Sequence, residues 1–275
     1  MNPPETIAIT GASSGLGAAL AREYAAPGIR LFLAARRIGR LTDVADACIE
    51  RGADVSCTEV DIRHWAETAI WIEAIEQNNP IDLLIANAGI FSGNGEGGQM
   101  ESPEDLAAQI HTNLIGTATT VNLTASYMQK RQSGHIAMVS SLAALQPMAD
   151  APGYSAAKAG ILAYSEALRE YLIKDRVTVS VILPGHIKTA QTDVHVGDLT
   201  GIISAEDAAA VIRQRLDRGQ TFAAFPQTMH LLVRLGRLLP WRLRATANRP
   251  FRFYVNHQAT DQLPLDKAPA KSKGH

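Results

Sequence analysis

The chain has 275 residues, 46% of them hydrophobic and 19% charged, enough to bury a large core as one α/β domain or two smaller ones. A formal net charge of -1 at pH 7 argues against a whole-surface nucleic-acid binder, because neutralising phosphates needs a concentrated positive field. The two cysteines, Cys48 and Cys57, lack the spacing of a metal site, and no apolar run reaches the ~18 residues of a membrane-spanning helix.

The opening Met-Asn-Pro-Pro-Glu has no basic segment before its first apolar run, so it is expected to be the mature start of a cytoplasmic chain with reduced thiols. Short apolar runs then recur with helical patterns between them: 6–10, 31–35, 55–59, 82–86, 135–140 and 177–183. That alternation predicts βαβ units, and the near-continuous apolarity of runs such as Leu-Phe-Leu-Ala-Ala predicts parallel strands buried on both faces. Leu41, Val44, Cys48 and Ile49 keep a helical period; Ser102-Pro103-Glu104-Asp105 reads as a cap, a proline at the first helical position and first-turn acids. A further helix is expected from Ser204, and the glycine-rich stretch 92–98 reads as a mobile loop.

Directly after the first run comes Thr10-Gly11-Ala12-Ser13-Ser14-Gly15-Leu16-Gly17, followed by a helical pattern. Glycines there let the backbone approach a pyrophosphate, and the helix N-terminus offers N–H groups and a positive dipole end; a tight turn without ligand is the alternative. The second strand ends not in an acid but in Arg36 and Arg37. A guanidinium suits a 2′-phosphate, so NADP(H) is preferred over NAD(H), unless both arginines are solvated loop charges.

Tyr154 and Lys158, four apart, share one helix face, so the ammonium can sit near the phenol and lower its pKa, especially beside an oxidised nicotinamide. Tyr154 then serves as general acid or base, and the Ser141 hydroxyl, thirteen positions earlier, can polarise the substrate oxygen.

Together these motifs resemble the short-chain dehydrogenase/reductase family, in the form with Thr-Gly-x-x-x-Gly-x-Gly and Tyr-x-x-x-Lys, over about residues 5–225. The match also takes in Asp61-Ile62, Asn87-Ala88-Gly89, Asn113, and Pro184-Gly185 followed by Thr189. The resemblance implies that Gly11, Ser13, Ser14, Gly15, Leu16 and Gly17 cradle the dinucleotide. Asp61 and Ile62 would meet the adenine, and Asn87, Ala88 and Gly89 would pass beneath the cofactor. Pro184, Gly185, Ile187 and Thr189 would hold the nicotinamide end, Lys158 the ribose, and Asn113 a relay water. It further implies homodimers or homotetramers through helices at about 103–130 and 152–174, and a candidate lid at 186–203, where His186 and His195 could contact substrate but read more readily as surface loop histidines; no metal is expected.

The expected fold is α/β: a Rossmann-type doubly wound parallel sheet forming a single domain over residues 1–225, then a basic amphipathic extension at 226–260 and a disordered tail at 261–275. From Gly219 to Thr260 there is no Asp or Glu but there are six arginines. A helix near Met229 to Leu239 would cluster His230, Arg234 and Arg237 on one side, which suggests contact with anionic membrane through residues 226–254; packing on its own sheet or on a partner subunit is the alternative. The expected activity is NADP(H)-dependent interconversion of a small-molecule carbonyl and alcohol. A catalytically silent dinucleotide sensor or scaffold and a nucleotide-sugar epimerase or dehydratase are the rivals.

Overall fold

Strands β1 (Thr6–Thr10), β2 (Arg30–Ala35), β3 (Asp54–Glu59), β4 (Leu83–Ala86), β5 (Gly134–Val139) and β6 (Val177–Pro184) fall on the apolar runs, within a residue at each end. The computed structural model describes residues 3–189, 195–196, 201–249 and 252–255; the expected tail at 261–275 and most of the expected lid lie outside them. The remaining strands are β7 (His195–Val196), β8 (Phe222–Phe225) and β9 (Tyr254–Val255). The helices are α1 (Gly15–Tyr24), α2 (Ile38–Ile49), α3 (Trp65–Glu76), α4 (Pro103–Gln109), α5 (Thr117–Arg131), α6 (Pro152–Leu172), α7 (Ala205–Asp217), α8 (Gln227–Arg237) and α9 (Trp241–Ala247).

The main sheet is parallel throughout, in the order β3-β2-β1-β4-β5-β6-β8, so the chain reverses its direction of travel between β1 and β4. One apolar core, including Leu20, Leu33, Leu41 and Ile212, packs α1, α2 and α7 on one face; another, including Ile72, Leu84, Met128 and Ile161, packs α3, α5 and α6 on the other. Two covered faces explain why the strands read as unbroken apolar runs.

The caps expected at Ser102 and Ser204 are present: each hydroxyl accepts from a backbone N–H three residues on, Asp105 and Asp207. Three features escaped the sequence. β8 is only Phe-Ala-Ala-Phe, too short to stand out, and becomes a strand by pairing with β6 from Val181 to Pro184. The helix at 103–130 passes through a π-helical stretch, Ile110–Gly116, which has no compositional signature. The stretch 92–98 is a loop, yet it is tied down: Asn94 N–H donates to the Asp150 carbonyl at 2.7 Å, and the Asn94 carbonyl accepts from Val255 at 2.9 Å.

The extension folds back over the carboxyl ends of the strands. α8 follows β8 directly, and β9 pairs antiparallel with β7. Neither α8 nor α9 has a buried side chain, and no helix among the described residues is long and apolar enough to cross a membrane.

Candidate active site

The reversal between β1 and β4 opens a crevice at the carboxyl ends of the strands, where ligands bind in sheets of this topology. It is a cavity of about 820 Å³. All the sequence-predicted cofactor and catalytic residues except Asn113 line it, although they come from seven separate stretches of chain.

The glycine turn forms its floor. Gly11 sits at φ 67°, and a Cβ there would lie 2.7 Å from Ala88 Cα, so only glycine fits. Thr10 and Asn87 lock the two strand ends together. The Thr10 hydroxyl accepts from the N–H groups of Asn87 and Ala88, each at 3.1 Å, and the Asn87 amide donates to the Thr10 and Gly11 carbonyls. Ser14 stands at the N-cap of α1 without making a side-chain cap bond, which leaves the first N–H groups of that helix to a ligand. Arg36 and Arg37 line the far end, joined by Arg40, which the sequence reading missed because it lies one turn into α2. Asp61 faces the same end. Burial pushes its carboxyl up, but hydrogen bonds from Arg63 outweigh that and, with the charge of Arg36, hold it below the usual range.

Toward β5 the cavity meets the reactive groups. Pro152 at the first helical position starts α6, and two bonds fix the helix to the end of β5: the Ser140 hydroxyl donates to the Lys158 carbonyl at 2.8 Å, and the Lys158 ammonium donates to the Val139 carbonyl at 3.0 Å. Lys158 Nζ lies 5.6 Å from the centre of the Tyr154 ring, and the Ser141 hydroxyl, which accepts from the Ala143 N–H at 3.1 Å, stands near enough to the phenol to favour its ionised form. The electrostatics differ from the expectation. Burial raises the Tyr154 phenol to about 12, a shift the nearby Ser141 hydroxyl only moderates, and burial lowers Lys158 to about 8. Without a dinucleotide's charge, desolvation wins over the neighbouring ammonium, so the phenol keeps its proton.

Asn113 is fully buried in the π-helical stretch, and both ends of its amide are taken by Ile90: Oδ1 accepts from the Ile90 N–H at 2.7 Å and Nδ2 donates to the Ile90 carbonyl at 2.8 Å. Its side chain stands behind Gly89, where a Cβ would lie 3.1 Å from Asn113 Oδ1 and 3.5 Å from Lys158 Nζ. There it shapes the wall beside Gly89 and Lys158. His186 lines the cavity half-buried, whereas the side chain of His195 lies outside the described residues.

The roof was not legible in the sequence. Phe91, Met148, Met229, Leu232, Val233 and Phe253 form an apolar part of the cavity wall. Phe91 meets Tyr154 edge-on at 4.9 Å between ring centres and lies 6.1 Å from Phe253. A clasp secures the end of the chain: Arg252 Nε donates to both oxygens of the buried Asp150 carboxylate at 2.7 Å, and Phe253 N–H donates to one of them at 3.2 Å. An arginine 102 residues from its carboxylate has no short-range signal; the acid-free composition after Gly219 was the only hint that such a partner must come from elsewhere.

The fit to a dinucleotide rests on these features: a glycine turn closed by Asn87, an uncapped helix N-terminus, and three arginines at the adenosine end with no carboxylate ending β2. Among the described residues no group of three or more His, Cys, Asp or Glu could hold a metal ion.

Comparison with known proteins agrees with this geometry. The short chain dehydrogenase family model matches residues 5–197. An uncharacterised oxidoreductase of Myxococcus xanthus is 32% identical over 248 residues, covering 90% of this chain and 97% of that one. A short-chain dehydrogenase/reductase from Burkholderia phymatum, solved with NAD, superimposes with a TM-score of 0.77 at 24% identity over 85% of this chain and 93% of its own. A short-chain dehydrogenase from Sphingobium yanoikuyae, solved with NADPH, gives 0.74 at 24% identity over 97% and 98%.

Proposed function

The chain belongs to the short-chain dehydrogenase family, and from that premise we propose that it is an NADP(H)-dependent oxidoreductase interconverting an apolar carbonyl compound and its alcohol, with Tyr154 as the proton-exchanging group. The observation that carries this reading is the placement of a half-buried Tyr154, beside Ser141 and 5.6 Å from Lys158 Nζ, in the same cavity as the glycine turn.

Gly11 to Gly17 and the start of α1 would hold the pyrophosphate, Arg36, Arg37 and Arg40 the 2′-phosphate, Asp61 and Ile62 the adenine, and Pro184, Gly185, Ile187 and Thr189 the nicotinamide end. Bound there, the cofactor supplies hydride to the carbonyl carbon, or accepts it in the reverse direction. Ser141 and Tyr154 orient the substrate oxygen through their hydroxyls. Held near 12, the phenol keeps its proton at neutral pH and is a weaker acid than a free tyrosine, so in reduction Tyr154 would pass that proton to the oxygen only as negative charge gathers there. The Lys158 ammonium stabilises the phenolate left behind. Asn113 is a positioning residue, holding Ile90 beside Gly89. The apolar walls favour a hydrophobic substrate and exclude water, which strengthens each of these polar interactions.

Removing one hydroxyl tests the proposal. In Tyr154→Phe, turnover of a ketone panel, followed at the absorbance of reduced nicotinamide, is expected to fall by about 10²–10⁴-fold while NADPH binding, followed by fluorescence titration, is retained. Unchanged turnover rejects the role given to Tyr154.

A further inference from the structure

The helices that roof the cavity have a second, outward surface that the chemistry above does not use. At about 100° per residue, α8 presents three faces. Met229, Leu232, Val233 and Gly236 line the cavity; Leu231, Leu235 and, just beyond the helix, Leu238 point away from it; His230, Arg234 and Arg237 occupy the third. On α9, which follows, Trp241 and Leu243 are exposed as well, on different sides of that short helix. Leu231 is 59% exposed, Leu238 81%, Trp241 67% and Leu243 59%. A run of large apolar side chains left in water on adjoining helices marks a contact surface.

Its charge identifies the occupant. Residues 227–249 carry five arginines and no acid. Among the described residues, none of Arg234, Arg242, Arg244 or Arg249 has a carboxylate within ion-pair distance. A second copy of the chain is a poor match, because a two-fold contact would set this acid-free surface against itself. An exposed leucine stripe with a basic face beside it, as on α8, is the arrangement that sinks apolar side chains below lipid headgroups while guanidiniums reach the phosphates.

We propose that the outward face of α8, helped by the exposed apolar side chains of the adjoining α9, docks on an anionic lipid bilayer, which places the mouth of the cavity at the membrane surface. Leu232 and Val233 of the docked helix line that mouth, so a carbonyl compound dissolved in lipid enters along apolar side chains without crossing water. This last part rests on the carbonyl chemistry proposed above; docking does not, and a binding measurement without turnover separates the two.

The test is sedimentation of the full chain with vesicles of phosphatidylcholine alone or mixed with phosphatidylglycerol. Binding to the mixed vesicles is expected to exceed binding to neutral ones by at least about tenfold and to weaken as salt rises. L235E/L238E and R234Q/R242Q, which alter no cavity residue, are each expected to lower it by about tenfold or more while leaving turnover of a small water-soluble ketone unchanged. Docking is overturned if the chain sediments with neither vesicle, if both variants bind as the parent does, or if light scattering shows a dimer that L235E/L238E dissociates. If docking holds and ketones presented in vesicles gain no advantage over soluble ones, only the delivery role is overturned.

Discussion

The floor and the roof of the cavity are built differently. On the floor, the groups are held by strand ends and short motifs: Thr10 with Asn87, Ser140 with Lys158, Asn113 with Ile90. On the roof, Phe91, Met148, Met229 and Phe253 come from segments far apart in sequence, held by one clasp and two small apolar clusters. Chemistry needs fixed positions for a few atoms, which rigid strand ends supply. Substrate choice needs only a shaped apolar wall, which loops and an added helix supply with less constraint.

Perturbing the floor should therefore cost far more than perturbing the roof. Arg36→Ala is expected to raise the KM for NADPH by about tenfold to a hundredfold, the worth of a hydrogen bond to a charged group, and to change the KM for NADH little. Steady-state rates with both cofactors check this, and equal losses with both would remove Arg36 from the 2′-phosphate. Next comes pH. Lys158, lowered by burial to about 8, carries its charge below that value and loses it above. The kcat/KM for reduction is expected to fall on the alkaline side, by up to about tenfold per unit, long before Tyr154 itself ionises near 12. A profile flat to pH 10 would show that bound substrates or cofactor restore Lys158 to its ordinary value.

On the roof, Asp150→Asn and Arg252→Gln are each expected to raise the KM of a bulky aryl ketone by about fivefold, roughly 1 kcal/mol, with the double variant no worse than either. A fall in kcat for a small ketone of the same size as the KM effect would place the clasp on the floor's side of the comparison. The smallest expected effect is that of Phe253→Ala, about twofold to threefold in preference between bulky and small ketones, because Phe91 still covers Tyr154. A larger loss would make Phe253 a principal wall of the substrate site.

The sheet, its parallel direction, the glycine turn and the spacing of Ser141, Tyr154 and Lys158 were all legible in the chain. Each is written over a few neighbouring residues: period, cap, turn glycine, or one helical turn between two side chains. What the tertiary structure alone decided lies at long range. β8 exists because β6 offers it a partner, the roof exists because Arg252 returns to Asp150, and the Asn113 amide is anchored on Ile90. The direction of the Tyr154 shift belongs to this second kind. Sequence places an ammonium one turn from the phenol, but the packed walls decide how much water each group loses, and here that loss outweighs the neighbouring charge.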